Sequence, residues 1–180
     1  MIFKPLPLAG AYLIEMEKIH DHRGFNARVW CEREFSEHGL ATNLSQINVI
    51  CNGPKGTLRG LHFQHPPLTE AKLFRVTRGA IYDVIVDLRP NSPTYLQWTS
   101  VELTVDGGRM LYVPEHFGQG FQTLVDDTEL TYQVTVPYSP DHGDGFRYDD
   151  PSFNIDWPMA PTAISEKDAG WPDFKPQERS

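Results

Sequence analysis

Leu44-Ser45-Gln46-Ile47-Asn48-Val49-Ile50, followed almost at once by the turn run Asn52-Gly53-Pro54-Lys55-Gly56, is the clearest strand-and-turn unit in the chain. In an extended segment successive side chains point to opposite faces. Leu44, Gln46, Asn48 and Ile50 therefore share one face, and Ser45, Ile47 and Val49 share the other. The face that carries Gln46 and Asn48 either points into a lumen or meets solvent at the edge of a sheet, and periodicity alone does not separate the two.

Outward from this unit, turn signals recur at short intervals: Pro66-Pro67, Arg89-Pro90-Asn91-Ser92-Pro93, Asp106-Gly107-Gly108, Gly118-Gln119-Gly120 and Asp141-His142-Gly143-Asp144-Gly145. Between them, residues 72–76, 81–88 and 128–136 alternate with period 2, each long enough for one strand. One helix is expected over 31–38, closed by Gly39 in a position suited to a C-cap, and another opens near Ser165. Many short strands must close into a barrel or sandwich to hide their edges, which makes the interior the natural site. The expectation is a mainly β protein with a few short helices, forming one domain over residues 1–180.

Composition narrows the function. The 15 Pro and 14 Gly are more than a helical bundle tolerates. A balance of 16 Lys+Arg against 24 Asp+Glu gives a net charge of -8, the wrong sign for wrapping nucleic acid, so any bound phosphate must be held locally. Cys31 and Cys51 are too few for a disulfide framework or a zinc site and suit a reducing compartment. No run approaches 18 apolar residues, and the N-terminal segment lacks a basic region followed by an apolar one. A cytoplasmic protein with no membrane association is expected.

The densest chemistry lies in Gly56-Thr57-Leu58-Arg59-Gly60-Leu61-His62-Phe63-Gln64 and in Glu70-Ala71-Lys72-Leu73. A metal-binding reading would enlist His62, His65 and Glu70 with one later His. The expected later position holds Gln119, His116 falls in a turn, and two prolines directly after His65 place it in a turn as well. Metal binding is therefore the minority reading.

These motifs resemble those of the dTDP-4-dehydrorhamnose 3,5-epimerase family. The resemblance rests on Asp21-His22-Arg23-Gly24-Phe25, Gln46-Ile47-Asn48, residues 56–64, Glu70-Ala71-Lys72, residues 78–89 with Ser92-Pro93-Thr94, Tyr112-Val113-Pro114, Gly120-Phe121-Gln122-Thr123-Leu124, Asp149-Asp150-Pro151, Ile155-Asp156-Trp157-Pro158 and Ser165-Glu166-Lys167-Asp168. Together they cover nearly the whole chain in order. The resemblance implies a cupin-type jelly-roll β-barrel, a homodimer, no metal or other cofactor, and a dTDP-linked 4-keto-6-deoxyhexose as substrate, inverted at C3, C5 or both. A ketoisomerase on the same scaffold is the alternative.

The chemistry explains the residue types. Imidazole, with an unperturbed pKa of about 6.5, does not remove a proton beside a ketone unaided; a cation must steady the enolate, and a second donor must reprotonate the opposite face. The resemblance makes His62 the base, Lys72 the enolate stabiliser, Tyr132 the acid and Asp168 the residue that orients His62. It makes Arg59 and Arg23 the holders of the diphosphate, with Gln46, Asn48, Phe25 and Gln119 lining the same pocket and Tyr138 stacking on the base. Without the resemblance each has a plainer reading: His62 a structural histidine, Lys72 an edge-strand lysine, Tyr132 a core tyrosine, Asp168 a first-turn carboxylate, and the two arginines surface ion-pair partners. Gln119 departs from the family, which commonly carries His there. Glutamine exchanges hydrogen bonds but cannot shuttle a proton near neutral pH.

Overall fold

A computed structural model describes residues 1–176. In chain order the elements are β1 (Ile2–Pro5), β2 (Tyr12–Glu15), β3 (Ile19–Asp21), β4 (Gly24–Asn26), α1 (Glu32–Glu37), β5 (Gln46–Asn52), β6 (Leu58–Gln64), β7 (Lys72–Arg78), β8 (Ala80–Asp87), β9 (Trp98–Thr104), β10 (Arg109–Val113), β11 (Phe117–Thr123), β12 (Thr128–Val134), β13 (Gly143–Gly145) and α2 (Glu166–Ala169). The architecture is mainly β, as the turn spacing predicts. Every pairing between these strands is antiparallel.

A six-stranded sheet, ordered β1-β2-β10-β7-β12-β5, faces a five-stranded sheet ordered β13-β6-β11-β8-β9; β3 and β4 form a separate hairpin. From β5 to β8, and again from β9 to β12, consecutive strands lie in opposite sheets, so the chain winds around the interior instead of folding into simple hairpins. Alternation along each strand then sorts side chains into three layers. Phe74, Val76, Ile81, Ile85, Phe121 and Leu130 fill the space between the sheets. Leu73, Met110 and Tyr112, one step out of phase, pack under α1 with Phe35 on the outside of the six-stranded sheet. Val84 and Val86 meet Phe146 and Phe153 on the outside of the five-stranded sheet. Each such fully buried side chain contributes about 1.5–3 kcal/mol of burial free energy to holding the layers together.

The expected helix over 31–38 forms as Glu32–Glu37, with Cys31 and His38 as caps and Gly39 at φ +68, the left-handed conformation that ends helices. The run Gly118-Gln119-Gly120, which reads as a turn, is instead the middle of β11, a strand buried along its whole length. Its glycines serve close packing. A Cβ on Gly118 would stand 2.7 Å from the Phe146 ring, and one on Gly120 would stand 2.8 Å from the Arg59 carbonyl oxygen. His65 and His116 lie outside the strands, as their contexts predict.

Candidate active site

The register of β7, β12 and β5 decides what meets at one end of the interior. Val134 lies opposite both Lys72 and Gln46, and Tyr132 lies opposite both Phe74 and Asn48. Lys72, Gln46, Asn48 and Tyr132 therefore share the inward face of the six-stranded sheet, where the apolar layer gives way to polar side chains. Gln46 and Asn48 both line an open cavity of about 420 Å³, at the edge of the sheet, where Gln46 remains exposed and Asn48 is half-buried.

The facing wall depends on an irregularity in β6. Gln119 pairs with His62 and Phe121 with Arg59, so β6 spends three residues where β11 spends two. This bulge cancels one step of alternation and turns both Arg59 and His62 inward, although they are three positions apart. It is possible because Gly60 sits at φ +123 against Gly120, at a backbone approach that leaves no room for a Cβ.

Within the cavity His62 Nε2 lies 2.6 Å from Asp168 Oδ1. Asp168 reaches it from α2, where its backbone N–H donates to Ser165 Oγ, and its Oδ2 accepts from the Gly60 N–H at 3.3 Å. Burial pushes the Asp168 carboxyl upward, but His62, the Gly60 N–H and the Trp171 indole outweigh it and hold the carboxyl below the ordinary range. An ionised Asp168 accepts the proton on Nε2, which leaves the lone pair on Nδ1.

Lys72 is buried, with Nζ 3.0 Å from Glu70 Oε1 and 3.4 Å from the His62 carbonyl oxygen. Tyr132 stacks on Phe74 at 5.3 Å, and its hydroxyl has no hydrogen-bond partner among the described residues. Burial, assisted by the negative charge of Glu70, pushes that hydroxyl above the usual tyrosine range, while Arg59 opposes the shift. Arg59 is oriented by Asn52, whose Oδ1 accepts from Nε at 2.8 Å. Gln119 donates from Nε2 to Asp83 Oδ1 at 2.7 Å. Tyr138 stands at the mouth, its backbone N–H donating to Gln46 Oε1 at 3.3 Å.

The residues that the sequence groups together thus fall into two sets. Gln46, Asn48, Arg59, His62, Lys72, Gln119, Tyr132, Tyr138 and Asp168 line one cavity. Arg23 and Phe25 do not. They lie on the β3–β4 hairpin, where Arg23 pairs with Asp21 at 2.6 Å and Phe25, 53% exposed, has Lys18 Nζ 4.9 Å above its ring.

A family model described as dTDP-4-dehydrorhamnose 3,5-epimerase matches residues 5–176. The chain belongs to that epimerase family. It is 44% identical over 175 residues to the dTDP-4-dehydrorhamnose 3,5-epimerase of Sinorhizobium fredii, covering 97% of this chain and 90% of the relative. Among solved structures it is similar to the dTDP-4-dehydrorhamnose 3,5-epimerase of Bacillus anthracis with TDP and PPi bound, with a TM-score of 0.92 and 39% identity over 96% of this chain and 99% of that one. It is also similar to the dTDP-6-deoxy-D-glucose-3,5-epimerase of Legionella pneumophila in complex with dTDP-4-keto-L-rhamnose, with a TM-score of 0.88 and 32% identity over 94% of this chain and 90% of that one.

As a member of this family the chain is an epimerase of sugar nucleotides, and its cavity contains further groups to which sequence reading gives no part in binding or turning over the sugar. Lys167 and Trp171 line it, with the Lys167 ammonium 5.0 Å above the indole ring. Gln64 and Glu70 sit beside Lys72. Adjacency to Asp168 in α2 is the one signal that could have flagged Lys167. Asp83, behind Gln119, carries no sequence signal, because a carboxylate inside an apolar strand looks like any exposed strand residue until the sheets are assembled.

Proposed function

We propose that this cavity inverts C3, C5 or both in a dTDP-linked 4-keto-6-deoxyhexose, on a jelly-roll scaffold of the cupin type, within deoxysugar biosynthesis of the dTDP-rhamnose kind in the cytoplasm. His62 takes the proton through Nδ1, with Asp168 fixing the tautomer and stabilising the imidazolium that forms. The Lys72 ammonium steadies the enolate oxygen in a site where water screens charge poorly. Tyr132, kept protonated by its raised pKa, returns a proton to the other face of the ring. Arg59 serves the diphosphate with a guanidinium fork, and Tyr138 stacks on the base. No step calls for a metal or a cofactor.

The observation that carries this reading is the placement of base and acid on different walls. His62 belongs to the five-stranded sheet, while Tyr132 and Lys72 belong to the six-stranded sheet. Incubation in heavy water with dTDP-4-keto-6-deoxyglucose, followed by mass spectrometry, tests it directly. Deuterium is expected at one or both carbons, and absence of uptake at both would refute the proposal.

The active species in this reading is a homodimer. β5 is an edge of the six-stranded sheet, and Ile47 and Val49 on its outer face are 60% and 62% exposed. Pairing there would cover them. Ile47→Asp is expected to yield monomers by sedimentation; an unchanged dimer would place the interface elsewhere.

A further inference from the structure

Asp83 is a carboxylate where the fold otherwise places hydrocarbon. It lies on the inward face of β8 between Ile81 and Ile85, fully buried, opposite Phe121 in β11 and Val101 in β9. Its Oδ1 accepts the Gln119 N–H at 2.7 Å, and its Oδ2 is buried without a hydrogen-bond partner among the described residues. Such an arrangement costs stability and calls for a reason. Asp83 itself does not line the cavity; Gln119 does.

Resting on the reading of this cavity as the sugar site, we propose that Asp83 is a positioning residue that sets substrate orientation through Gln119. By holding one amide N–H, it fixes which way round the amide sits and turns Oε1 towards the sugar. An acceptor at that point binds a sugar hydroxyl and repels a keto or enolate oxygen. The ketone is thereby turned away from Gln119 and towards the buried ammonium of Lys72. A histidine at this position could present a donor or an acceptor from the same ring edge; a glutamine whose amide is clamped by a carboxylate has its Oε1 held in one place, with the second N–H as its remaining donor.

The clamp depends on the charge of Asp83. Burial, foremost, pushes its carboxyl up to about 7, against the Gln119 hydrogen bond, the Lys72 charge and the Val84 N–H. Of the groups packed around it, Gln119 and Phe121 from β11 and Val101 from β9 do not titrate. Lys72 from β7 is the facing charge, with Glu70 beside it and His62 across from Gln119 as the next titratable neighbours. Once protonated, Asp83 becomes a donor. Its acceptor is then the Gln119 Oε1, and the amide turns its NH2 towards the sugar.

The test measures the dissociation constant of dTDP-4-keto-6-deoxyglucose from pH 5.5 to 8.5 in a His62→Asn background, which removes the neighbouring imidazole and prevents turnover. Binding is expected to weaken about fivefold as pH falls through 7, the value of one neutral hydrogen bond. Adding Asp83→Asn or Gln119→Leu should each make the constant independent of pH. A flat profile in the background protein, or a transition that survives either added substitution, overturns the proposal. Should the Asp83→Asn protein fold poorly, the Gln119→Leu arm decides alone. Deuterium uptake by the unmodified protein is measured separately, so loss of the epimerase reading is distinguishable from loss of this one.

Discussion

Replacing Asp83 by Asn should stabilise the protein more as pH rises, and the size of the effect follows from where the side chain sits. An unfolded aspartate titrates near 3.9, whereas burial raises the folded group to about 7. A raised carboxyl pKa means that the folded state holds the proton more tightly. Its contribution to stability is therefore fully present below the unfolded value and is lost as pH climbs through the folded one. Three units of displacement correspond to roughly 4 kcal/mol, of which well over half is lost between pH 5 and pH 8. Carboxylates held low, such as Asp168, change stability only at more acidic pH and do not interfere in this window. At about 2–4 °C per kcal/mol for a protein of this size, the melting temperature of Asp83→Asn minus that of the parent should grow by roughly 5–10 °C from pH 5 to pH 8. A constant offset caused by packing or by a rearranged hydrogen bond would not vary with pH. Calorimetric scans at pH 5, 6, 7 and 8 read the difference, and a gap that stays level across them would show that Asp83 is not the buried acid described here.

Asp168→Asn should lower kcat about 10²-fold or more while folding is retained, because an amide can donate to Nε2 and so put the proton on the wrong imidazole nitrogen; steady-state kinetics with circular dichroism would expose a purely structural role. Tyr132→Phe should cut formation of inverted product about 10²-fold while deuterium still enters recovered substrate with its configuration unchanged, since His62 can return a proton to the face it came from; equal losses of both would remove Tyr132 from the acid's role. Gly120→Ala should destabilise the fold by roughly 3 kcal/mol or prevent folding, because the added methyl meets the Arg59 carbonyl oxygen at 2.8 Å; a urea midpoint equal to that of the parent would contradict the close approach of β6 and β11.

What is legible in the sequence follows from the range of the signals that carry it. Alternation from Leu44 to Ile50 is a local pattern, so the sharing of a face by Gln46 and Asn48 can be read directly, and assembly has only to decide which way that face points. The bulge in β6 is not local. Strict alternation puts Arg59 and His62 on opposite faces, and only pairing with β11 shows the extra residue that brings them together. Gly118 and Gly120 mislead as turn signals for a related reason: glycine marks turning and close packing alike, and the Phe146 ring and the Arg59 carbonyl lie far away in sequence. Arg23 and Phe25 show a further limit. Motif likeness assigns them to the substrate, yet they sit on an exposed hairpin outside the cavity, because likeness transfers a role without placing the side chain.

The two-sheet architecture also bears on stereochemistry. Inversion needs a base and an acid on opposite faces of a six-membered ring, a requirement that two inward side chains of one strand cannot meet because they share a wall. Here β6 and β12 belong to opposite sheets, so a ring held between them, as proposed, would meet His62 on one side and Tyr132 on the other. Lys72 occupies the same wall as Tyr132, through the pairing of Val134 with Lys72, and reaches back to the His62 carbonyl from β7. A ketone oxygen lies near the ring plane, so a cation that bridges the two walls at their edge can hold it while either neighbouring carbon faces the base. In the proposed reaction, a ketone oxygen held on Lys72 would serve as the anchor, and the choice between C3 and C5 would rest on rotation of the ring about it.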